Sequence, residues 1–280
     1  NTATTRKIPV KVHGVSDSGF LTGISDVDAN TNQSCALKSD GSEVYCWGYN
    51  GYGQLGDGTN TNSSVPVIVL KGESTSDTEY LSGVAEIDLG YYHTLARKTD
   101  GTVFAWGYGV YGSLGYGSST KSYIPVQVHG VGNTGVLSNI SEVAGGLYNS
   151  IAIDTSGNAY AWGYNTQGQL GDSTVSTRTS PVQVHGVGDS GYLGNISQID
   201  SNYYANIALK DDSIEAYTWG YNGYGQLGNG TVTHSKLPLV VSALTHEPLE
   251  VNGTFTPQTS TVQYTGDYDI WHLMDYVSIE

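Results

Sequence analysis

The five tryptophans of the chain occur at nearly regular intervals, and this spacing constrains the fold more than any other feature. They lie at Trp47, Trp106, Trp162, Trp219 and Trp271, separated by 59, 56, 57 and 52 residues. The first four begin the segments WGYNGYGQLG, WGYGVYGSLG, WGYNTQGQLG and WGYNGYGQLG, whereas the fifth, in GDYDIWHLMD, has lost the glycines. Repeats of this length indicate a tandem array of one supersecondary unit. We therefore predict a single repeat domain over residues 1–280, with residues 242–280 as a degenerate last unit or tail.

The third repeat shows the composition of one unit. Residues 123–131 alternate apolar and polar positions as a strand at a blade edge would, and residues 136–146 form a second extended stretch. Residues 148–154 and 158–163 then resemble two strands joined by a glycine-containing hairpin turn. Four short antiparallel strands per repeat are typical of a β-propeller blade. We predict an all-β propeller of about five blades, without any helix longer than two turns.

Glycine and leucine recur at fixed distances after each of the first four tryptophans. Gly48 and its counterparts follow tryptophan directly, where we expect a backbone conformation that a Cβ would hinder. The leucines of the Gln-Leu-Gly or Ser-Leu-Gly segments are predicted to fill the gaps between adjacent blades: Leu55, Leu114, Leu170 and Leu227. No strand-to-helix transition and no Lys-Ser/Thr pair accompany the glycines, so they do not form a phosphate loop.

These elements resemble the regulator of chromosome condensation repeat family. Its pattern of Ala-Leu, an Asp-Gly turn, Trp-Gly and Gln-Leu-Gly is matched by residues 34–37, 40–41, 47–48 and 54–56, and it recurs in the next three repeats over about residues 9–241. The resemblance implies a seven-bladed propeller whose loops bind another macromolecule. This chain has four good units, and a fifth can be assembled from residues 238–241 and 262–271. The nucleotide exchange activity of the namesake is not expected in an acidic chain that we interpret as a bacterial-type exported form.

The charge balance excludes some classes of partner and indicates a compartment. Eleven Lys and Arg oppose 26 Asp and Glu, which gives a net charge of −15, and the few basic residues are scattered. Nucleic acid and anionic membranes are therefore poor partners, and no apolar run is long enough to insert in a bilayer. Charged residues make up only 13% of the chain, against about 25% in average proteins. We expect an extracellular or cell-surface protein whose signal peptide has been removed, with an artificial start as the alternative.

The two cysteines lie on the two arms of the first predicted hairpin. Counted outward from the Asp40-Gly41 turn, Cys35 faces Cys46 and is within disulfide reach if the register is regular. Glu43 lengthens one arm, so a bulge could shift this pairing and leave free thiols. An exported protein is in an oxidising compartment, which favours the disulfide.

The sequence contains no recognisable catalytic set, metal site or cofactor motif. It lacks a G-x-S-x-G elbow and an H-E-x-x-H segment. His13, His129 and His185 occupy equivalent places in three repeats, too far apart to share one ion, and His93 is expected to be structural. The segment from Asp57 to Asn60 fits turn chemistry better than a calcium loop.

Recurring tyrosines are the best candidates for a binding surface. Tyr52, Tyr111 and Tyr224 recur in the loop after Trp-Gly, where Gln167 is the counterpart in the third repeat. The pairs Tyr91–Tyr92 and Tyr203–Tyr204 precede the Ala-containing strand. Tyrosine supplies a rigid amphipathic contact surface that suits protein interfaces and sugar stacking. The alternative is that these rings only pack between blades, which we favour for the tyrosine next to Trp-Gly.

These features predict a non-catalytic exported interaction protein that binds another protein. A lectin that uses the loop tyrosines and a secreted protein-binding inhibitor are the alternatives. Self-assembly, as in an extracellular fibre, is a further hypothesis, because the ends of the array differ. Residues 8–12 are predicted to form a first strand, and residues 272–280 could add to a neighbour's sheet edge or fold back onto their own ring.

Overall fold

The structure, a computed structural model, describes residues 7–72, 79–211 and 215–241. The chain divides into two compact units, Asn1–Ala243 and Leu244–Glu280. The second unit lies outside the described residues, as do Trp271, residues 262–271 and the last strand predicted for residues 272–280. The degenerate fifth unit, the single domain over residues 1–280 and the blade count of five therefore stay predictions.

Sixteen strands form four sheets, and each sheet contains four consecutive antiparallel strands in the order of the chain. We call the sheets blades 1 to 4. The strands are β1 (Ile24–Ala29), β2 (Gln33–Lys38), β3 (Val44–Gly48), β4 (Ser63–Ile68), β5 (Val84–Leu89), β6 (His93–Lys98), β7 (Val103–Gly107), β8 (Ser122–Gln127), β9 (Ile140–Gly145), β10 (Asn149–Asp154), β11 (Ala159–Gly163), β12 (Arg178–Gln183), β13 (Ile196–Asn202), β14 (Ala205–Lys210), β15 (Ala216–Gly220) and β16 (Ser235–Val241).

The all-β propeller class is confirmed, but the sequence placed the blade boundaries one strand too early. In the described residues the helical elements are three single 3-10 turns, Val15–Asp17, Val131–Asn133 and Val187–Asp189. Strand β8, within residues 123–131, is the last strand of blade 2, because it pairs with β7. Residues 238–241 likewise belong to β16 in blade 4 and do not begin a fifth unit. Sequence periodicity gives the length of a repeat but not the strand at which a sheet begins.

Adjacent blades pack through apolar cores, one at each of the three boundaries. Between blades 1 and 2 the core contains Leu37, Leu55 and Val69 from the earlier blade, with Ile87 and Trp106 from the later one. Equivalent residues fill the boundaries between blades 2 and 3 and between blades 3 and 4. The four predicted leucines are all fully buried. Because each blade buries its face only against its neighbours, the array has the stacked architecture of repeat proteins.

A hydrogen-bonded link to tryptophan crosses each boundary. The Trp106 indole nitrogen donates to the Gln54 carbonyl oxygen of the preceding blade at 2.9 Å, and the Thr94 hydroxyl donates to the same oxygen at 3.0 Å. The same arrangement joins Trp162 to the Ser113 carbonyl and Trp219 to the Gln169 carbonyl, both at 2.8 Å. The repeat therefore uses tryptophan as both core residue and hydrogen-bond donor.

The glycine that follows the buried leucine leaves space for the tryptophan indole of the next blade to come close to the loop. At Gly115 the φ angle is +68° and a Cβ would lie 2.7 Å from the indole nitrogen of Trp162. Only glycine combines this left-handed conformation with so close a contact at no steric cost.

Carboxylates on the innermost strands connect neighbouring blades near the propeller axis. An Asp28 oxygen accepts from the backbone N–H of Leu89 at 2.7 Å, and an Asp88 oxygen accepts from the N–H of Gly145 at 2.6 Å. The inner edge of a sheet exposes N–H groups that need acceptors. These acidic side chains supply them from the preceding blade.

The two cysteines form the predicted disulfide. Cys35 faces Cys46 across β2 and β3, and their sulfur atoms are bonded. Glu43 does not shift the pairing, because the extra residue is accommodated in the turn, where its carbonyl accepts from the Lys38 N–H at 3.1 Å.

Residues 8–12 are not a strand in the structure, contrary to prediction. Their sequence, IPVKV, nearly repeats the IPVQV of residues 124–128, most of which lies in β8 of blade 2. In the described residues no blade precedes blade 1, so this segment has no sheet to join. Among the described residues, no helix is both long enough and apolar enough to cross a membrane.

Candidate functional site

Asparagine side chains organise the loops that follow Trp-Gly. Asn50 is fully buried; its amide nitrogen donates to the Thr61 carbonyl at 3.1 Å, and its carbonyl oxygen accepts from the Leu55 N–H at 2.9 Å. Asn165 and Asn222 make the equivalent contacts in blades 3 and 4. A buried amide that satisfies both donor and acceptor groups fixes the loop conformation. The loops of blades 1, 3 and 4 therefore present their next side chains in the same place, whereas blade 2 has Gly109 at the asparagine position.

These loops place one set of tyrosines at one end of the propeller. Tyr52 projects across the boundary between blades 1 and 2 and contacts Tyr92 and Tyr108, with ring centroids 5.5 and 4.8 Å apart. Tyr111 makes the same contacts one blade further on, with Tyr148 at 5.1 Å and Tyr164 at 4.9 Å. The interpretation that such rings pack between blades thus holds for Tyr52 and Tyr111, although neither is buried.

A second set surrounds the axis and joins the loop tyrosines into one layer. Tyr92 stacks on Tyr148 at 5.6 Å, Tyr148 contacts Tyr204 at 6.3 Å, and Tyr91 reaches Tyr203 at 6.4 Å. We call the connected set the tyrosine layer. Its members are Tyr49, Tyr52, Tyr91, Tyr92, Tyr108, Tyr111, Tyr148, Tyr164, Tyr203, Tyr204, Tyr221 and Tyr224.

The layer contains all seven tyrosines that the sequence indicates as a binding surface, together with five others. Tyr49, Tyr108, Tyr164 and Tyr221 follow Trp-Gly directly, and Tyr148 is the third-repeat counterpart of Tyr92. The recurrence two residues after tryptophan was visible in the sequence. What the sequence could not show is that these rings meet across blade boundaries. Whether the layer binds a ligand stays a prediction.

Partial burial keeps four phenol groups of the layer neutral at physiological pH. Burial, with a smaller contribution from neighbouring tyrosines, raises the pKa of Tyr148 to about 12. Burial also raises the pKa values of Tyr92, Tyr108 and Tyr204. The layer offers ring faces for stacking and hydroxyls for hydrogen bonds, the combination found at protein interfaces.

An acidic recess opens at the axis beside the layer. It has a volume of about 470 Å³ and is lined by Asp28, Asp88 and Asp200 together with Tyr91 and Tyr203. Burial, with repulsion from nearby carboxylates, raises the pKa of Asp88 to about 8, although its hydrogen bond from Gly145 opposes the shift. A larger recess of about 820 Å³ lies on blade 4 between Tyr203, Tyr204 and Tyr224.

The histidines singled out from the sequence have structural partners. His13, His129 and His185 each contact the side chain four residues later, Asp17, Asn133 and Asp189 respectively. His93 is fully buried and contacts the Ser150 hydroxyl at 2.8 Å, and burial lowers its pKa to about 4. Across residues 7–72, 79–211 and 215–241, no group of three or more His, Cys, Asp and Glu side chains could hold a metal ion.

Fold and site together define a β-propeller repeat protein with a tyrosine-rich end surface. Models of the regulator of chromosome condensation (RCC1) repeat match residues 42–97, 100–153, 156–208 and 215–251, and a second model of that repeat matches residues 24–54, 84–113 and 140–169. The chain belongs to the regulator of chromosome condensation repeat family. The predicted family membership is therefore confirmed.

Curated relatives share the repeats but are longer proteins. The chain is 31% identical over 224 residues to the ultraviolet-B receptor UVR8 of Arabidopsis thaliana, which covers 80% of this chain and 46% of the receptor. It is 33% identical over 223 residues to the human E3 ubiquitin-protein ligase HERC2, covering 79% of this chain and 4% of the ligase. The chain thus spans less than half the length of either relative.

Solved structures confirm the fold. The yeast RCC1 protein Prp20, in its crystal structure with Kap60, aligns with 86% of this chain and 52% of its own length at a TM-score of 0.67 and 17% identity. Human WBSCR16 aligns with 79% of this chain and 53% of its own length at a TM-score of 0.65 and 24% identity.

Proposed function

We propose that this chain is a non-catalytic protein-binding module and that the tyrosine layer is its contact surface. The observation that supports this most is the layer itself: twelve rings form one connected set, and none of them is buried. Buried asparagines fix the Trp-Gly loops of blades 1, 3 and 4 that carry part of the set. Rigid aromatic side chains lose little conformational entropy on binding, and tyrosine is enriched at the energetic centres of protein interfaces.

The comparisons support a binding role without naming a partner for this chain. UVR8 is a receptor by name, and the crystal structure of Prp20p was described together with its binding properties to Gsp1p and histones. At 15% identity the latter supports only the fold. The acidic recess beside the layer and the net charge of −15 favour a partner with a neutral or basic contact surface.

Export to the cell surface or the extracellular space is part of the proposal. Its support is the low content of charged residues and the Cys35–Cys46 disulfide, since such bonds persist in oxidising compartments. Thiol alkylation of the protein from its native source would test this. Cysteines that are fully alkylated without prior reduction would contradict export.

Panning a displayed library of random peptides against the folded protein tests the binding surface. We expect selected peptides to lose most of their binding, at least about tenfold, when Tyr111 and Tyr203 are both replaced by Ser. The matched control is Tyr192→Ser, because Tyr192 is 61% exposed and its ring contact is with His185, outside the layer. Peptides that bind the double variant and the wild type equally would refute the assignment.

The same variants separate the alternatives. Glycan-array binding that is lost in the double variant but kept in Tyr192→Ser would favour the lectin. Hydrolysis of a polysaccharide or peptide panel that a single carboxylate substitution abolishes would contradict the non-catalytic assignment. Self-association is a further proposed property.

A further inference from the structure

Each boundary inside the array has two complementary halves. The earlier blade contributes apolar residues of its second strand, its buried leucine and the carbonyl that accepts from tryptophan. The later blade contributes an apolar residue at the middle of its innermost strand and the tryptophan indole. This pairing occurs three times with the same parts.

Blade 4 carries the half of this contact that the earlier blade contributes, and no described residue covers it. Ile207 is 46% exposed and Leu209 is 37% exposed, whereas their counterparts Ile151 and Ile153 in blade 3 are at most 2% exposed. The carbonyl of Gln226 corresponds to those of Gln54, Ser113 and Gln169, but no described indole donates to it. At Gly228 an added Cβ would meet only Val241, at 3.8 Å.

Tyr224 is consistent with the same vacancy on blade 4. Its counterparts Tyr52 and Tyr111 contact tyrosines of the following blade, whereas Tyr224 is 89% exposed and its one ring contact among the described residues is Tyr221 of its own blade.

Blade 1 presents the second half. Val27 is 68% exposed, whereas its counterparts Ile87, Val143 and Ile199 are at most 7% exposed. Trp47 is half-buried and has no hydrogen-bond partner in the part of the chain that the structure describes, whereas Trp106, Trp162 and Trp219 are fully buried and bonded.

We propose that these two faces bind each other between copies, so that blade 4 of one chain packs on blade 1 of a second chain, head to tail. Val27 would cover Ile207, and the Trp47 indole would donate to the Gln226 carbonyl. A second copy fits because one chain carries both halves of an interface that it builds three times internally. Because the two halves are different surfaces, the contact is heterologous and can propagate. On blade 4 this surface adjoins the tyrosine layer, because Ile207 and Gln226 line the same recess as Tyr203 and Tyr224.

The segment at residues 8–12 predicts how such pairing is controlled. The Leu21 N–H donates to the Val12 carbonyl at 2.9 Å, as the Leu137 N–H donates to the Val128 carbonyl at 3.1 Å. Residues 8–12 thus lead into blade 1 in the same way that residues 124–128 lead into blade 3. Most of residues 124–128 lie in β8, the outer strand of blade 2. In the head-to-tail pair, β16 of the second copy takes the position beside blade 1 that residues 8–12 occupy in the single chain. Residues 8–12 therefore have to move away before the pair forms. We therefore expect a concentration-dependent association.

Sedimentation of the full chain over a range of concentrations tests the proposal with two variants. Val27→Asp disables the blade 1 face and Ile207→Asp disables the blade 4 face. Both side chains are exposed in the single chain, so neither change should unfold it. We expect the wild-type mass to rise with concentration and each variant alone to associate at least about tenfold more weakly, since a charge would be buried in the contact.

An equimolar mixture of the two variants gives the decisive result. Each retains the face that the other has lost, so head-to-tail pairing predicts one-to-one complexes that do not grow further. Val175→Asp is the matched control, because Val175 is 56% exposed on a blade 3 loop, and it should associate like the wild type. The Tyr111→Ser variant should also associate normally, because this ring packs against Tyr148 and Tyr164 at the boundary between blades 2 and 3, which separates this proposal from the function of the tyrosine layer. A wild type that stays monomeric at all concentrations, or a mixture that forms no pairs, overturns the proposal.

Discussion

Replacement of a bonded tryptophan by phenylalanine should destabilise the protein far more than the same replacement at the first repeat. Trp162 is fully buried, and its indole donates to the Ser113 carbonyl at 2.8 Å. Phenylalanine keeps an aromatic ring but loses the donor and leaves a gap. The Ser113 carbonyl still accepts from the Ser150 hydroxyl at 2.9 Å, so it is not left unsatisfied.

The magnitude follows from these two losses. The net contribution of one hydrogen bond is about 1 kcal/mol, and the missing ring volume should cost about 1 to 2 kcal/mol, less than the ~3 to 5 kcal/mol of complete truncation. Trp162→Phe should therefore lower the free energy of unfolding by about 2 to 3 kcal/mol. Trp47→Phe removes no bonded donor from the described structure and opens a site that is only half-buried, so its cost should be below about 1 kcal/mol.

The assay is urea unfolding followed by far-ultraviolet circular dichroism, because the substitutions change the fluorescence itself. Protein concentration should be low enough to keep the chain monomeric. Equal losses in the free energy of unfolding at Trp162 and Trp47 would refute the idea that tryptophan stabilises the fold through its contact with the preceding blade. A weaker dependence of the unfolding free energy on urea concentration in either variant would instead indicate partial unfolding of single blades.

Two further predictions concern groups outside the tryptophan links. Burial raises the pKa of Asp88 to about 8 in the folded state, so the folded protein holds this proton more tightly than the unfolded chain and stability should fall as the pH rises from about 4 to about 8. Asp88→Asn keeps an acceptor for the Gly145 N–H and removes the titration, so thermal melts should show a gain on the order of 2 kcal/mol at pH 8 relative to pH 4, and an unchanged pH profile would contradict this. Removal of the disulfide by Cys35→Ala and Cys46→Ala should cost about 3 kcal/mol, because the bond closes a short loop in the unfolded chain; a melting temperature that is the same with and without reductant would contradict it.

Repeat length, strand content and the leucines of the inter-blade contact could be predicted from local sequence, whereas the indole hydrogen bonds could not. Glycine after the buried leucine, leucine itself and tryptophan recur because each boundary needs the same close approach. The strand at which each blade begins could not be predicted, because residues 123–131 have the same sequence pattern whether they begin one sheet or end another. Hydrogen bonding to β7 decides this, and it depends on the whole sheet.

The candidate site shows the same limit at a larger scale. Tyr52 and Tyr92 are 40 residues apart in the sequence, and only the packing of blade 1 on blade 2 brings their rings to 5.5 Å. From the sequence alone, binding and packing between blades are alternatives for the loop tyrosines. In the structure a ring can pack across a boundary and remain accessible, because the layer lies at the end of the propeller rather than inside it.

The exposure of equivalent residues argues that the four described blades are not a finished assembly. In a closed propeller every blade has two neighbours, so each repeated position should have similar burial in all blades. Ile207 and Val27 are more exposed than their counterparts, and they belong to opposite halves of the inter-blade contact. Trp47 and the Gln226 carbonyl correspond to the donor and acceptor that form a hydrogen bond at each of the other boundaries. Random surface variation would not place these departures at matching positions on the two ends of the array. The repeat itself therefore specifies what each end should bind, which is another blade of the same kind.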